Sequence, residues 1–163
     1  MAVRPDYRLQ TLLEMRQRKK DEAEQQLGKS LKALHVEQQK LKQLEEELER
    51  MIARREAKRR EYAEKAMRGE MSAQAVVSSE VYIDRLKEQE EAQKNSIEGQ
   101  KGVVKQKEDE VQAARQALVQ ATQELKALEK HKEKWQEQVK KEIQAREEEV
   151  QDEVAQTIFL TRE

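Results

Sequence analysis

Apolar residues recur along this chain with a heptad period. In the first half Leu27, Leu34, Leu41, Leu48 and Tyr62 stand on one ladder, with Arg55 as its polar rung. Leu44 and Met51 follow Leu41 and Leu48 at a spacing of three, which completes the a and d columns of a coiled coil. In the second half Val76, Ile83, Ile97, Val104, Val111, Leu118 and Leu125 form another ladder, with Glu90 as its polar rung. Its d column includes Leu86, Ala114, Ala121, Leu128 and Trp135. After Trp135 the spacing changes. Val139, Ile143, Val150, Val154 and Ile158 run closer to an eleven-residue repeat, which relaxes a left-handed supercoil.

The pattern predicts two long helices. Pro5 is the only proline, so nothing beyond it has to break a helix, and Asp6 is placed to cap a first helix starting near Tyr7. Arg68-Gly69-Glu70-Met71-Ser72 reads as the turn, with Gly69 as the residue after the helix end and Ser72 as the next N-cap. Arm one then runs from about residue 7 to 68 and arm two from about 73 to 159, roughly 95 and 130 Å at the helical rise. Val76-Val77-Ser78-Ser79 is the weakest helix-forming stretch, where a short break is allowed. Gly99 and Gly102 each cost about 1 kcal/mol relative to Ala and are read as tolerated or as a soft point.

Two heptad segments joined by a short glycine-containing turn predict an all-α fold. Residues 1–163 are expected to form one antiparallel coiled-coil hairpin with unequal arms. Charge agrees. Residues 1–68 carry 18 Lys and Arg against 13 Asp and Glu, while the remainder carries 15 against 21. Arms of opposite sign attract each other better than copies of themselves. The alternative is a parallel homodimer through one long helix. In the hairpin, facing residue numbers sum to about 140 when heptad arms pair around the turn. Tyr7 then lies opposite Glu133, Leu34 near Gln106 and Leu48 near Ala92, and Trp135 caps the paired zone. The last two dozen or so residues overhang, and their apolar stripe is left open for a partner.

Composition narrows the class further. The chain is 41% charged, 36% hydrophobic and 3% aromatic, which leaves too little to fill a thick core. It is rich in strong helix formers and periodic, unlike a disordered chain. The absence of Cys excludes disulfides, thiolate zinc sites and a cysteine nucleophile. No apolar run approaches the roughly 20 residues of a membrane span, and the N-terminus lacks the apolar core of a signal peptide. A cytoplasmic protein is expected. Its net charge of −1 gives no overall attraction to nucleic acid or membrane.

Candidate chemistry is sparse. His35 and His131 lie in charged helical text and read as solvated surface histidines, since a metal site or a catalytic triad needs convergent groups. Gly99-x-x-Gly102 is no phosphate loop. The many Glu pairs have no desolvated cleft in which to separate their pKa values. No enzyme, cofactor or metal is expected. Arg54-Arg55-x-x-Lys58-Arg59-Arg60 could bind phosphates, but no aromatic residues interleave with it for base stacking, so no nucleic-acid partner is expected.

Three stretches taken together resemble the FliJ/YscO family of type III secretion proteins. They are the segment from Tyr7 to Glu24, the pair Tyr82-Ile83-x-x-Leu86 after the turn, and Asp152-Glu153-Val154-Ala155-Gln156. The resemblance spans the chain in length and order. It implies a non-enzymatic stalk of a flagellar or injectisome export apparatus, similar to the antiparallel coiled coil of a rotary-ATPase gamma subunit. Such a stalk binds and regulates the hexameric export ATPase and links it to the membrane export gate protein. Some relatives handle export chaperones. It would sit at the cytoplasmic face of the apparatus and touch the membrane through partners only. Carried over by position, Tyr7, Leu9, Val150, Asp152, Glu153, Val154 and Ile158 mark the ATPase end. Tyr82 and Leu86 mark the gate end, with Gln89 and Gln93 on the same stripe but of different residue type. After Gln156 the chain continues Thr-Ile-Phe-Leu, more apolar than the basic tail common in flagellar members. The other reading is a structural or chaperone-like coiled coil unrelated to secretion.

Overall fold

A computed structural model describes residues 5–162 of the chain. Two helices, α1 (Gln10–Met67) and α2 (Ala73–Thr161), form an antiparallel hairpin with unequal arms. No strand occurs among the described residues. Helix α1 begins later than the expected Tyr7, since residues 7–9 form a turn in which the Gln10 N–H donates to the Tyr7 carbonyl at 3.1 Å. Tyr7 is thereby held beside the helix rather than inside it.

The link between the helices is built as its residues dictate. Gly69 takes φ = 69°, the left-handed conformation that Cβ makes costly for other residues. Its N–H donates to the Ala66 carbonyl at 3.2 Å, and that of Glu70 to the Lys65 carbonyl at 3.0 Å. This Schellman pattern satisfies carbonyls that the end of α1 leaves open. Ser72 then opens α2, its hydroxyl accepting from the Ala75 N–H at 3.1 Å and its carbonyl from the Val76 N–H at 3.0 Å.

The break allowed at Val76–Ser79 does not occur, and α2 runs through it. The Ser79 hydroxyl donates to the Val76 carbonyl at 2.7 Å, so the side chain that competes with helix elsewhere is satisfied within it. Gly99 and Gly102 are likewise helical, and a Cβ built on either meets nothing within 4 Å.

Close contacts group the chain into two units, Met1–Gln26 with Arg115–Glu163, and Leu27–Ala114. The seam of the first unit is apolar. Ala121, Leu125 and Leu128 are buried along α2. These are the predicted a and d positions. Its pairs match the expected alignment as well, with the Arg16 Nη1 donating to the Glu124 carbonyl at 2.9 Å and Lys132 Nζ to Gln10 Oε1 at 2.7 Å.

The seam of the second unit mixes apolar and polar rungs. Leu86, Ile97, Val104, Val111 and Ala114 are buried on α2. Between them the d column carries Gln93, Gln100 and Lys107. Both glutamines reach across to backbone carbonyls of α1. Gln93 Nε2 donates to the Leu44 carbonyl at 3.0 Å, and Gln100 Nε2 to the Glu37 carbonyl at 3.0 Å and the Glu37 carboxylate at 2.6 Å. A helix carbonyl has a second lone pair free for such a donor. The two polar ladder rungs, Arg55 and Glu90, meet each other. Arg55 Nε donates to Glu90 Oε1 at 2.7 Å, with the glutamate side chain only 7% exposed. No buried side-chain nitrogen or oxygen among the described residues lacks a partner.

Charged groups in and beside the seam tune one another. The Gln100 amide, aided by Lys40, holds the Glu37 carboxyl below the usual carboxylate range. Hydrogen bonds from Lys58 and Lys65 likewise hold Glu61 low, and Glu61 raises Lys58. A carboxyl lowered by folding adds stability above its unfolded value and loses that contribution as pH falls through the folded one. The stability difference between the wild type and Glu37→Gln should therefore shrink as pH is lowered from about 6 to about 3. Urea unfolding at each pH checks the sign. The glycines give a second test. Gly69→Ala should destabilise by about 1 kcal/mol because it forces a Cβ into the left-handed region. Gly99→Ala and Gly102→Ala should each stabilise by up to about 1 kcal/mol, because they add helix propensity in open space.

Candidate interaction surfaces

In the first unit an aromatic clasp gathers around Tyr7. Its hydroxyl shares a hydrogen bond of 2.6 Å with His131 Nδ1, and its ring lies 5.0 Å from that of Trp135, tilted by 50°. Lys132 Nζ sits 5.7 Å from the Tyr7 ring centroid while it donates to Gln10. Ring faces attract cations, so Lys132 serves the clasp twice. His131 is exposed, as its charged context suggested, but its Nδ1 is engaged by Tyr7. Helical spacing places His131 and Trp135 one turn apart on the same side of α2, facing the incoming chain. Trp135 has the expected role of closing the paired zone, and Tyr7 is its counterpart.

Beyond the clasp α2 continues without α1 beside it. Pro5, Tyr7, Trp135, Val139 and Ile143 line an open groove there. A second hollow carries Pro5, Val139 and Ile143 on to Val150. The stripe is progressively uncovered. Val139 and Ile143 are half-buried, whereas Val150, Val154 and Ile158 are each more than half exposed. Phe159 and Leu160 are 71% exposed and line a shallow notch with Ala155 and Gln156. Asp152 and Glu153 are exposed beside the stripe. The expected ATPase-end residues therefore divide. Tyr7 is buried and Leu9 half-buried, so both act first in holding the chain start, while Val150, Asp152, Glu153, Val154 and Ile158 are open.

The expected gate-end residues lie in the second unit and divide in the same way. Leu86 is 8% exposed and belongs to the seam. Gln93 turns inward to Leu44. Tyr82 is half-buried, its ring edge-on to Tyr62 with centroids 6.4 Å apart. Gln89 is open. Exposed apolar residues that were not singled out, Met67, Val77 and Val81, flank this end of the unit on either side of the turn. Their outward orientation follows from the ladders, since neither column passes through them.

No group of metal-ligating side chains occurs among the described residues, and no helix there is long and apolar enough to cross a membrane.

A hairpin of two long helices with a polar outer surface and an uncovered end defines a class of helical interaction proteins. The family described as YscO-like protein matches residues 4–163, and the chain belongs to it. The solved structure of a protein from Chlamydia trachomatis described as a YscO homolog is similar to this chain, with a TM-score of 0.83 and 26% identity. The similarity covers 99% of this chain and 98% of that one. No curated protein matches. YscO-like proteins are structural, secretion-associated proteins of type III systems, which work through protein partners.

The clasp yields a direct test. Tyr7→Phe keeps the ring and removes the bond to His131, and should cost about 1 kcal/mol. Tyr7→Ala removes the ring as well, and should cost about 3 kcal/mol or more. Hydrogen exchange should show faster opening at residues 9–16 in both variants.

Proposed function

We propose that this chain is the central stalk of a type III export apparatus. It binds and regulates the hexameric export ATPase through the uncovered end of α2 and connects the ring to the membrane export gate. The observation that carries this reading is the apolar stripe Val150, Val154 and Ile158, which prolongs the seam side of α2 at a changed spacing but has no α1 beside it. Apolar surface left in line with a coiled-coil seam is complementary to another apolar wall. Asp152 and Glu153 beside it supply charge for orientation.

The gate contact falls to Tyr82 and Gln89, which are reachable, with Leu86 and Gln93 holding them in place from within the seam. The ATPase, the gate and export chaperones act on the protein from the cytoplasmic face of the membrane. No catalytic step is assigned to the chain, and its action on hydrolysis is through the ring it contacts.

The test is binding to a hexameric export ATPase. Replacing Val150, Val154 and Ile158 together by Ser should lower affinity at least tenfold while helicity and the unfolding midpoint of the paired region hold. Tyr82→Ala should weaken binding to the gate protein and spare the ATPase. If the triple variant binds the ATPase like the wild type, the overhang is not the contact. If the wild type binds no export ATPase but suppresses aggregation of unfolded clients, the chaperone-like reading replaces the stalk.

A further inference from the structure

The polar rungs of the second unit are not equivalent, and one pair does what the others do not. A heptad seam repeats itself, so two arms can in principle pair equally well after sliding by one heptad. Gln93 and Gln100 do little to prevent this. Their amides donate to α1 carbonyls, and a helix presents a carbonyl at every residue. Glu37 is no better. A slide in one direction replaces Gln100 by Lys107 as its neighbour, and a slide in the other by Gln93, both competent donors.

Arg55 and Glu90 differ. In the observed pairing they face each other at 2.7 Å, with side chains 18% and 7% exposed. A slide one way brings Arg55 opposite Ile97 and Glu90 opposite Tyr62. A slide the other way brings Arg55 opposite Ile83 and Glu90 opposite Leu48. Either movement leaves both charges in the seam against apolar rungs, and an unpaired buried charge is heavily disfavoured. The same pair opposes self-association of parallel helices. In an in-register parallel dimer, Arg55 of one copy would face Arg55 of the other, and Glu90 would face Glu90.

We propose that the Arg55–Glu90 ion pair is the register and orientation lock of this hairpin. It selects one antiparallel alignment and one intramolecular partner. The best-attested use of buried polar groups in helical seams is such selection of register, not net stability. In this chain it fixes which residues of α1 stand beside Tyr82 and Gln89. The inference does not depend on the secretion role.

The test uses the full chain, with oxidative crosslinking as the register readout. With Leu44→Cys and Gln93→Cys, residues that already meet across the seam, the wild-type alignment should form an intramolecular disulfide. Leu44→Cys with Gln100→Cys, and Glu37→Cys with Gln93→Cys, report the two slipped alignments. In the R55L/E90L background helicity should persist and the unfolding midpoint should hold or rise. The native crosslink should fall at least threefold, with slipped or intermolecular crosslinks appearing. The charge-reversed R55E/E90R background should restore the native crosslink, whereas E90R alone should not. If R55L/E90L retains the native crosslink alone and stays monomeric, the Gly69 turn sets the register and the lock is overturned. Failure of the charge-reversed pair to restore the crosslink while it remains helical would overturn it equally.

Discussion

Two helices without a third layer can hide only one stripe each. Every helix surface outside that stripe must be acceptable to water, and every group inside it must be apolar or answered from the facing helix. This constraint accounts for the 41% charged composition, and for seam residues that are buried without any large side chain being fully enclosed. It also explains the value of small residues. Ala121 is the most buried member of the seam at 2% exposure, since a short side chain is covered by a thin seam where a long one is not. In a thin seam, closeness substitutes for depth.

The second unit shows how such a seam accommodates polarity. Its glutamines use carbonyls that already serve the α1 helix, so each polar rung is satisfied without a dedicated partner side chain. Such bonds are tolerant of position and hold the arms together wherever they happen to lie. An ion pair is not tolerant, because its two halves sit on different helices and must coincide. Adhesion and alignment are thus handled by different chemistry. Their separation matters in a fold whose repeating ladders offer several near-equivalent pairings.

The ends of the hairpin are where pairing stops, and there function becomes legible. The Tyr7 clasp closes the paired part of the first unit with an aromatic contact, a hydrogen bond and a cation over a ring. An apolar stripe at a changed spacing then continues on α2 alone, half-buried at Ile143 and open at Val150 and beyond. An uncovered continuation of a seam costs solubility unless something covers it. The turn end is different in kind, since its seam residues are covered and its exposed apolar residues stand off the ladders.

The sequence by itself determined the helices, the turn and the alignment. Heptad spacing is a local record of which side of each helix is covered, and Gly69 and Ser72 carry their conformational roles within a few residues. Summing partner numbers around that turn places Tyr7 opposite Glu133, one short step from the Trp135 ring it meets. The continuous helix through Val76–Ser79 was not readable, because local propensity argued for a break and pairing with α1 outweighed it. The division of the marked residues into open and covered ones also needed the fold. Leu86 and Gln93 share their text with Tyr82 and Gln89, yet a rotation of one residue about the helix separates seam from surface. Only the tertiary structure made a pair of Arg55 and Glu90, and of Tyr7 and His131. Arg55 and Glu90 stand out as polar rungs in their own ladders, but the partner of each of these residues lies 35 or 124 positions away.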